Sequence, residues 1–291
     1  SDADIVSAAR VSYGDGTKTV SEDRGLIRYL VSHRHTSPIE MAEVKLHLKM
    51  PIFIMRQWVR HRTASLNEYS GRYSVMSDEF YRPTGDALKP QSEINKQGGE
   101  GSFTEREQDG IEWMMDAAYD HAYSTYQGLI TPGVTLTEAE RRDSLYDLYN
   151  PDPEWGYFDE SFCGVSRELG RLVLPVANYT ELYWKQDLHN LLHLIKLRRD
   201  THAQAEIREY AEAVYTLIKP LFPLTIEAWE DYIWEGVHLS RMDAELLQTL
   251  LESNSGSLDM LIELAGGNKA FADTRGYSLR ELKAFRARWK V

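Results

Sequence analysis

The apolar positions change period several times along the first half of the chain. A short helical pattern lies around Ile5 to Arg10, followed by a turn-rich stretch, SYGDGTKTVSEDRG, and a helix around Arg24 to His33 with Ser21 as its candidate cap. After Pro38, Val44, Leu46, Leu48 and Met50 alternate with polar residues, a period of two that predicts a half-buried strand. Pro51 ends that strand and suits the first position of a helix over IFIMRQWVRHRTA. From Ser65 to Tyr73 the helical period disappears, so this segment is expected to be extended or loop.

Residues 84–110 are rich in Gly, Pro and polar residues and are expected to form a mobile insertion. A helix is predicted from near Ile111 to about Leu129, and a second polar insertion occupies about 131–163. Further helical patterns cover Val165 to Leu174, Thr180 to Leu197, and His202 to Lys219. Thr201 and Gln204 resemble a capping box for the last of these, and Pro220 stops it. The final fifty residues suggest small helices, one capped by Ser278, and no internal repeat is visible. The expected class is helix-rich α+β, with one main domain over 1–235 and a C-terminal helical extension over 236–291.

With 291 residues the chain is long enough to bury a sizeable core. Hydrophobic residues at 42% and charged residues at 27% place it among globular proteins, not disordered ones. No apolar run approaches the ~18 residues of a membrane helix, and the first residues lack signal-peptide blocks, so a cytoplasmic location is expected. The single cysteine, Cys163, allows no intrachain disulfide. A net charge of −12 argues against a nucleic-acid binder. A phosphorylated small molecule remains possible wherever arginines converge.

They converge in RQWVRHRTASLNEYSGRY, residues 56–73. Read as a helix, Gln57, Arg60 and Ala64 share one face while Arg62 points elsewhere, so cations could serve two ligands or two subunits. Read as extended chain, Glu68, Ser70 and Arg72 emerge together. A carboxylate, a hydroxyl and a guanidinium in a row suit a phosphosugar, and Gly71 permits close approach. The competing explanation is a salt-bridged helix end. A second cluster, DLHNLLHLIKLRRDTHAQ at 187–204, sets His189 and His193 four apart, which is also metal-ligand spacing. No HExxH arrangement accompanies them, so two histidines on a partly buried helix face are the simpler reading. Arg198 stands at a helix junction, able to reach a cleft. In SRELGRLVLP, Arg167 and Arg171 lie one turn apart around Glu168, where helix salt bridging is the plain alternative.

RHRTASLNEYSGRY, residues 60–73, resembles the signature of flavin-dependent thymidylate synthases, RHRxxSxNExSxRY, at every fixed position. AARVSYG, HRHTSPIE, PIFIMRQW, RELGRLVLP and DLHNLLHLIKLRRDTHAQAEIREYA resemble the same family in the same order, over roughly residues 5–235. The resemblance implies that family's fold around a mainly antiparallel sheet. It implies FAD as cofactor, NADPH and methylenetetrahydrofolate as co-substrates, dUMP as substrate, and a homotetramer whose sites are shared between subunits. By the same resemblance Gln57, Arg60, Ser70, Gly71, Arg72 and Arg171 hold dUMP, and Glu68 bridges nucleotide and flavin. Ser37, Arg60, His61, Arg62, Asp187, His189 and His193 contact FAD, with His35 beside the flavin and folate rings. Arg198 corresponds to the arginine that polarises the uracil ring.

That assignment has a physical logic. Methylating uracil at C5 requires that carbon to become nucleophilic, and a cysteine thiolate is one way to achieve it. Cys163 has no partner base in its polar surroundings. A cation that stabilises negative charge on the ring is the other way, and Arg198 is the candidate. Three rivals follow: the same fold acting on UMP, an RNA-binding Arg-rich helix, and a metal-dependent hydrolase built on His189, His193 and His202.

Overall fold

The computed structural model describes residues 1–11, 23–93, 96–131, 163–237, 262–263, 266–275, 278–280 and 283. In chain order the elements are α1 (Asp2–Val11), α2 (Asp23–Ser32), α3 (Ser37–Glu40), β1 (Glu43–Pro51), α4 (Ile52–Trp58) and β2 (Ala64–Glu68). They continue with α5 (Glu105–Ile130), α6 (Arg167–Gly170), β3 (Tyr179–Asp187), α7 (Leu188–Arg199), α8 (Ala205–Ile218), α9 (Pro223–Trp229) and α10 (Asn268–Arg275). The class is α+β, helix-rich around a small antiparallel sheet. Ser21, the turn-rich 12–22 stretch and nearly all of the 131–163 insertion lie outside the described residues.

The chain divides into two compact units, one of residues 39–218 and one joining 1–38 with 219–291. The first holds the sheet, with strand order β1-β3-β2 and antiparallel pairing throughout. Its register sets Val44, Leu46, Leu48 and Met50 opposite Gln186, Trp184, Leu182 and Thr180. Along β3 those inward residues are buried while Glu181 and Tyr183 are exposed. Against the inward face pack Ile54 and Trp58 of α4, Leu188, Leu191, Leu194 and Ile195 of α7, and Ile207 and Ala211 of α8, all fully buried. Burying a side chain of this size stabilises by roughly 1.5–3 kcal/mol, so this row of Leu and Ile fixes how α7 docks on the sheet.

Four local expectations are corrected. Residues 179–187 form the central strand, not the start of a long helix. Pro51 closes β1 and, with φ −63° and ψ 147°, stands outside α4 as its cap position. Helix α5 begins at Glu105, inside the expected insertion, because Thr104 and Glu107 form a reciprocal capping box that outweighs the polar composition. Finally, α8 starts at Ala205, leaving Thr201 and His202 in a turn, with His202 tied to Asp200.

In the other unit α1, α2 and α9 pack through Ile5, Val6, Ile27, Leu30, Ile226 and Trp229, all buried. Asp2 caps α9, accepting from Leu224 N at 2.8 Å and from Thr225 N at 3.1 Å and Oγ1 at 2.6 Å. The near-buried Arg28 binds Asp231 and Glu227, and Arg24 pairs with the same Glu227. Among the described residues no helix is long and apolar enough to cross a membrane.

Candidate active site

Helix α4 was expected to continue through Ala64, but it stops at Trp58. Val59 N still donates to Met55 O at 2.9 Å, then His61 N donates to Trp58 O at 3.1 Å and the chain leaves the helix. The cause is strand pairing: Ala64 to Glu68 lie in register with Gln186 to Leu182 of β3. Gln57, Arg60 and Ala64 therefore do not share a helix face. The turn between is anchored by Trp58, buried edge-on to Trp184 with ring centroids 6.3 Å apart. It carries His61 inward and leaves Arg60 and Arg62 exposed.

His61 is only 8% exposed. Its Nε2 accepts from Arg198 Nε at 3.0 Å, while Arg198 Nη2 donates to the Gln57 carbonyl at 2.9 Å. Because a guanidinium only donates, the imidazole must be neutral with its proton on Nδ1. Burial, the Arg198 charge and His193 together push its pKa down to about 4. The His193 ring meets His61 edge-on at 6.2 Å. Arg198 is itself depressed from its usual range, by burial first and then by the Arg60 charge. Among the described residues no carboxylate engages Arg60, Arg62 or Arg198. Arg198 and Arg60 thus stand together by a neutral histidine, with no acid among the described residues to balance them. Such a field favours an anionic ligand.

A second cation cluster lies beyond β2. The strand ends at Glu68, whose Oε1 accepts from Thr180 Oγ1 at 2.8 Å. Tyr73 N and Ser74 N then both donate to Ser70 O at 3.1 Å, so Ser70 to Arg72 form a turn. The expected extended alternation of Glu68, Ser70 and Arg72 does not hold. The turn instead uses Gly71, which is buried. A Cβ there would sit 2.7 Å from Met76 Sδ and 3.2 Å from Arg171 Cδ, so glycine is what lets Arg171 lie against the turn. Arg72 pairs with Glu168 through Nε at 3.2 Å and Nη2 at 3.4 Å. Arg167 Nη1 donates to Tyr73 O at 2.8 Å, and Arg171 Nε donates to Glu168 O at 3.3 Å. Three exposed guanidiniums and the Ser70 hydroxyl meet at one turn, with a single carboxylate, Glu168, paired among them in the described residues. Forked donors in this number suit a phosphate.

A model of the family described as "Thymidylate synthase complementing protein" matches residues 1–224. The chain belongs to that family. A flavin-dependent thymidylate synthase of Dictyostelium discoideum is 45% identical over 248 residues, covering 85% of this chain and 71% of the relative. One from Rickettsia bellii is 41% identical over 280 residues, 96% of this chain and 84% of the relative. Among solved structures, a UMP/dUMP methylase, PolB, from Streptomyces cacaoi bound with 5-Br dUMP is 32% identical with a TM-score of 0.60. That match covers 79% of this chain and 90% of the other. The same enzyme bound with 5-Br UMP gives 31% identity and the same TM-score.

For this member of the thymidylate synthase complementing protein family, the 39–218 unit brings together Gln57, Arg60, His61 and Arg198 at one place, and Ser70, Gly71, Arg72 and Arg171 at another. Asp187 caps α7, its Oδ1 accepting from Asn190 N at 2.9 Å and its Oδ2 from Asn190 Nδ2 at 2.8 Å. His189 is half-buried on α7 and His193 is exposed. Ser37 is exposed at the start of α3, and His35 is exposed just before it. Cys163 is exposed as well. Among the described residues, no group of three or more His, Cys, Asp or Glu side chains is arranged to hold a metal ion. Sequence reasoning missed Gln204, whose Oε1 accepts from Gln57 Nε2 at 2.6 Å, and the pairing of Glu168 with Arg72. Glu168 stood between two arginines in RELGR, which was the available signal. Nothing in the sequence pointed to Gln57 as the partner of Gln204.

Proposed function

We propose that the chain is a flavin-dependent thymidylate synthase, methylating dUMP to dTMP with methylenetetrahydrofolate as carbon donor and NADPH as reductant. The observation that carries this is Arg198, fixed by neutral His61 and the Gln57 carbonyl near Arg60, which has no acid partner among the described residues. With Nε and one Nη donor committed, its remaining Nη donors are free to hold a uracil ring and stabilise negative charge developing on it. Because its proton stays on the guanidinium, Arg198 acts as a charge and a positioner, not as an acid. Ser70, Arg72 and Arg171 take the nucleotide phosphate, which displaces Glu168 from Arg72. Glu68, held by Thr180, orients the sugar side.

The donor set also fits FAD. Arg60 and Arg62 are exposed cations with no acid partner among the described residues, suited to its phosphates, and His61 Nδ1–H, His189 and His193 offer ring and hydrogen-bond contacts. Bound FAD supplies the hydride. Ser37 and Asp187 contact the flavin, Asp187 from its place at the head of α7. The protein is further proposed to act in the cytoplasm as a homotetramer, with no nucleic-acid partner and no membrane partner. A second reading, action on UMP, is favoured by one observation: the similar Streptomyces enzyme has been seen with both 5-Br dUMP and 5-Br UMP.

The test is an absorbance spectrum of the purified protein with added FAD. Flavin bands should bleach with NADPH when dUMP is present, and Arg198→Ala should bind FAD but form no dTMP. Near-normal turnover by Arg198→Ala would overturn the electrostatic role of Arg198. A protein that takes up no FAD would overturn the synthase reading, and competition between dUMP and UMP separates the two substrates.

A further inference from the structure

Helix α5 runs for 26 residues, and Tyr126 is the one side chain in it that is wholly enclosed. It is enclosed because the end of α5 meets both segments that build the second cation cluster. From one side comes the chain leaving the Ser70–Arg72 turn. Met76 N donates to Tyr126 Oη at 3.0 Å, and Tyr123 Oη donates to Met76 O at 3.2 Å. Gln127 Nε2 donates to the same Tyr123 Oη at 2.9 Å, so that hydroxyl accepts from Gln127 and gives its proton to Met76. Both backbone polar groups of Met76 are thus held by α5.

From the other side comes α6. A Cβ on the buried Gly170 would lie 3.7 Å from the Tyr126 ring and 2.5 Å from Ile130 Cγ2. Glycine is therefore what lets the end of α5 lie against the residue before Arg171. The two sides also meet each other, because Met76 Sδ and Arg171 Cδ both border the space beside the Gly71 Cα. Tyr126 accordingly touches, by its hydroxyl and by its ring, the segment that carries Arg72 and the segment that carries Arg171. Both of those guanidiniums are exposed, so burial does not fix either of them. Two forked donors from distant parts of the chain can share one phosphate only if their backbones are held at the right spacing.

We infer that Tyr126 is a positioning residue for the nucleotide phosphate: it sets the spacing of Arg72 and Arg171, with Tyr123 steadying the same Met76. The inference rests on the proposed function, which assigns Ser70, Arg72 and Arg171 to the phosphate of dUMP. Being wholly enclosed, Tyr126 acts through those side chains, and so on binding of the nucleotide and not on the chemical step.

The test compares Tyr126→Phe with the parent, both loaded with FAD. Phenylalanine keeps the ring against Gly170 and deletes the hydroxyl that accepts from Met76 N. The KM for dUMP should rise about tenfold, the loss of one charge-assisted contact, while kcat at saturating dUMP stays within about twofold of the parent. In an Arg72→Ala background the same substitution should raise KM by less than about twofold, because the contact it positions is already gone. Tyr123→Phe is a second variant expected to act in the same direction. Tyr119→Leu, also on α5, is the control: it loses a ring stacked on Phe80 at 5.0 Å and should melt lower, yet keep the parent's KM for dUMP. An unchanged KM in both Tyr126→Phe and Tyr123→Phe overturns the inference. So does a rise that persists undiminished in Arg72→Ala, or one that Tyr119→Leu matches, since α5 would then support the fold at large. A parent protein that forms no dTMP overturns the synthase reading itself, a result seen before any variant is compared.

Discussion

Acidification should unlock Arg198 by way of His61. Protonating His61 removes the acceptor for Arg198 Nε, now 3.0 Å from Nε2, and sets a third positive charge beside Arg198 and Arg60. In the unfolded chain the same imidazole takes a proton near 6.5, whereas the folded protein resists until about 4. The unfolded state therefore binds more protons between those values, and stability falls as pH drops from 6.5 toward 4. Below about 4 both states are protonated and this group adds no further slope. The gap corresponds to at most ~3 kcal/mol, from 1.36 kcal/mol for each pH unit. The assay is urea unfolding of the apoprotein from pH 7 to pH 4.5 at fixed protein concentration, for the parent and for His61→Gln. The Gln oxygen can still accept from Arg198 but does not titrate, and taking the difference cancels acid effects from carboxylates elsewhere. Parent stability should fall by about 2–3 kcal/mol more than that of the variant across the window. Parallel curves would refute the picture of a neutral histidine holding Arg198.

Two further predictions concern carboxylates. Glu168→Gln should tighten dUMP binding by roughly two- to fivefold at low salt, because the exposed Glu168 competes with phosphate for Arg72; the gain should shrink in 0.5 M salt. Equal or weaker affinity at low salt, measured by equilibrium titration, would remove that competition. Asp187→Ala should cost about 1 kcal/mol in urea unfolding without FAD, and Asp187→Asn only a few tenths, since the amide oxygen can still accept from Asn190 N. No loss in the alanine variant would mean that the cap does not support α7.

The fold class was legible in the sequence, but the strands that carry the candidate site were only partly so. Strand β1 announced itself because its outward positions, such as Lys45 and Lys49, are charged. Strand β3 alternates just as regularly, with Thr180, Leu182, Trp184 and Gln186 turned inward. Two of those four are polar, however, and no Gly or Pro separates the strand from the Leu-rich α7. The only break is Asp187, a helix cap whose role shows once Asn190 is seen to donate to it. The same blindness to pairing prolonged α4 past Trp58, because nothing in RHRTA opposes a helix until β3 is there to claim Ala64 to Glu68. Composition misled in the opposite direction at Thr104, where one capping box turned an expected loop into the first turn of α5.

The misread strand is also what makes the cation clusters possible. β3 is central, so it pairs with β2 and leads directly into α7. Pairing with β2 places the RHR turn at one end of that strand and the Ser70–Arg72 turn at the other. Leading into α7 places Arg198 close enough to donate to His61, although 137 residues separate them in sequence. A signature can name Arg60, His61 and Arg72 from their spacing alone, but it cannot say that Arg198 is held by His61. That depends on the register of β2 against β3. A one-residue slip would turn Glu68 away from Thr180, so the Thr180–Glu68 hydrogen bond, 2.8 Å long, doubles as a register pin for both clusters.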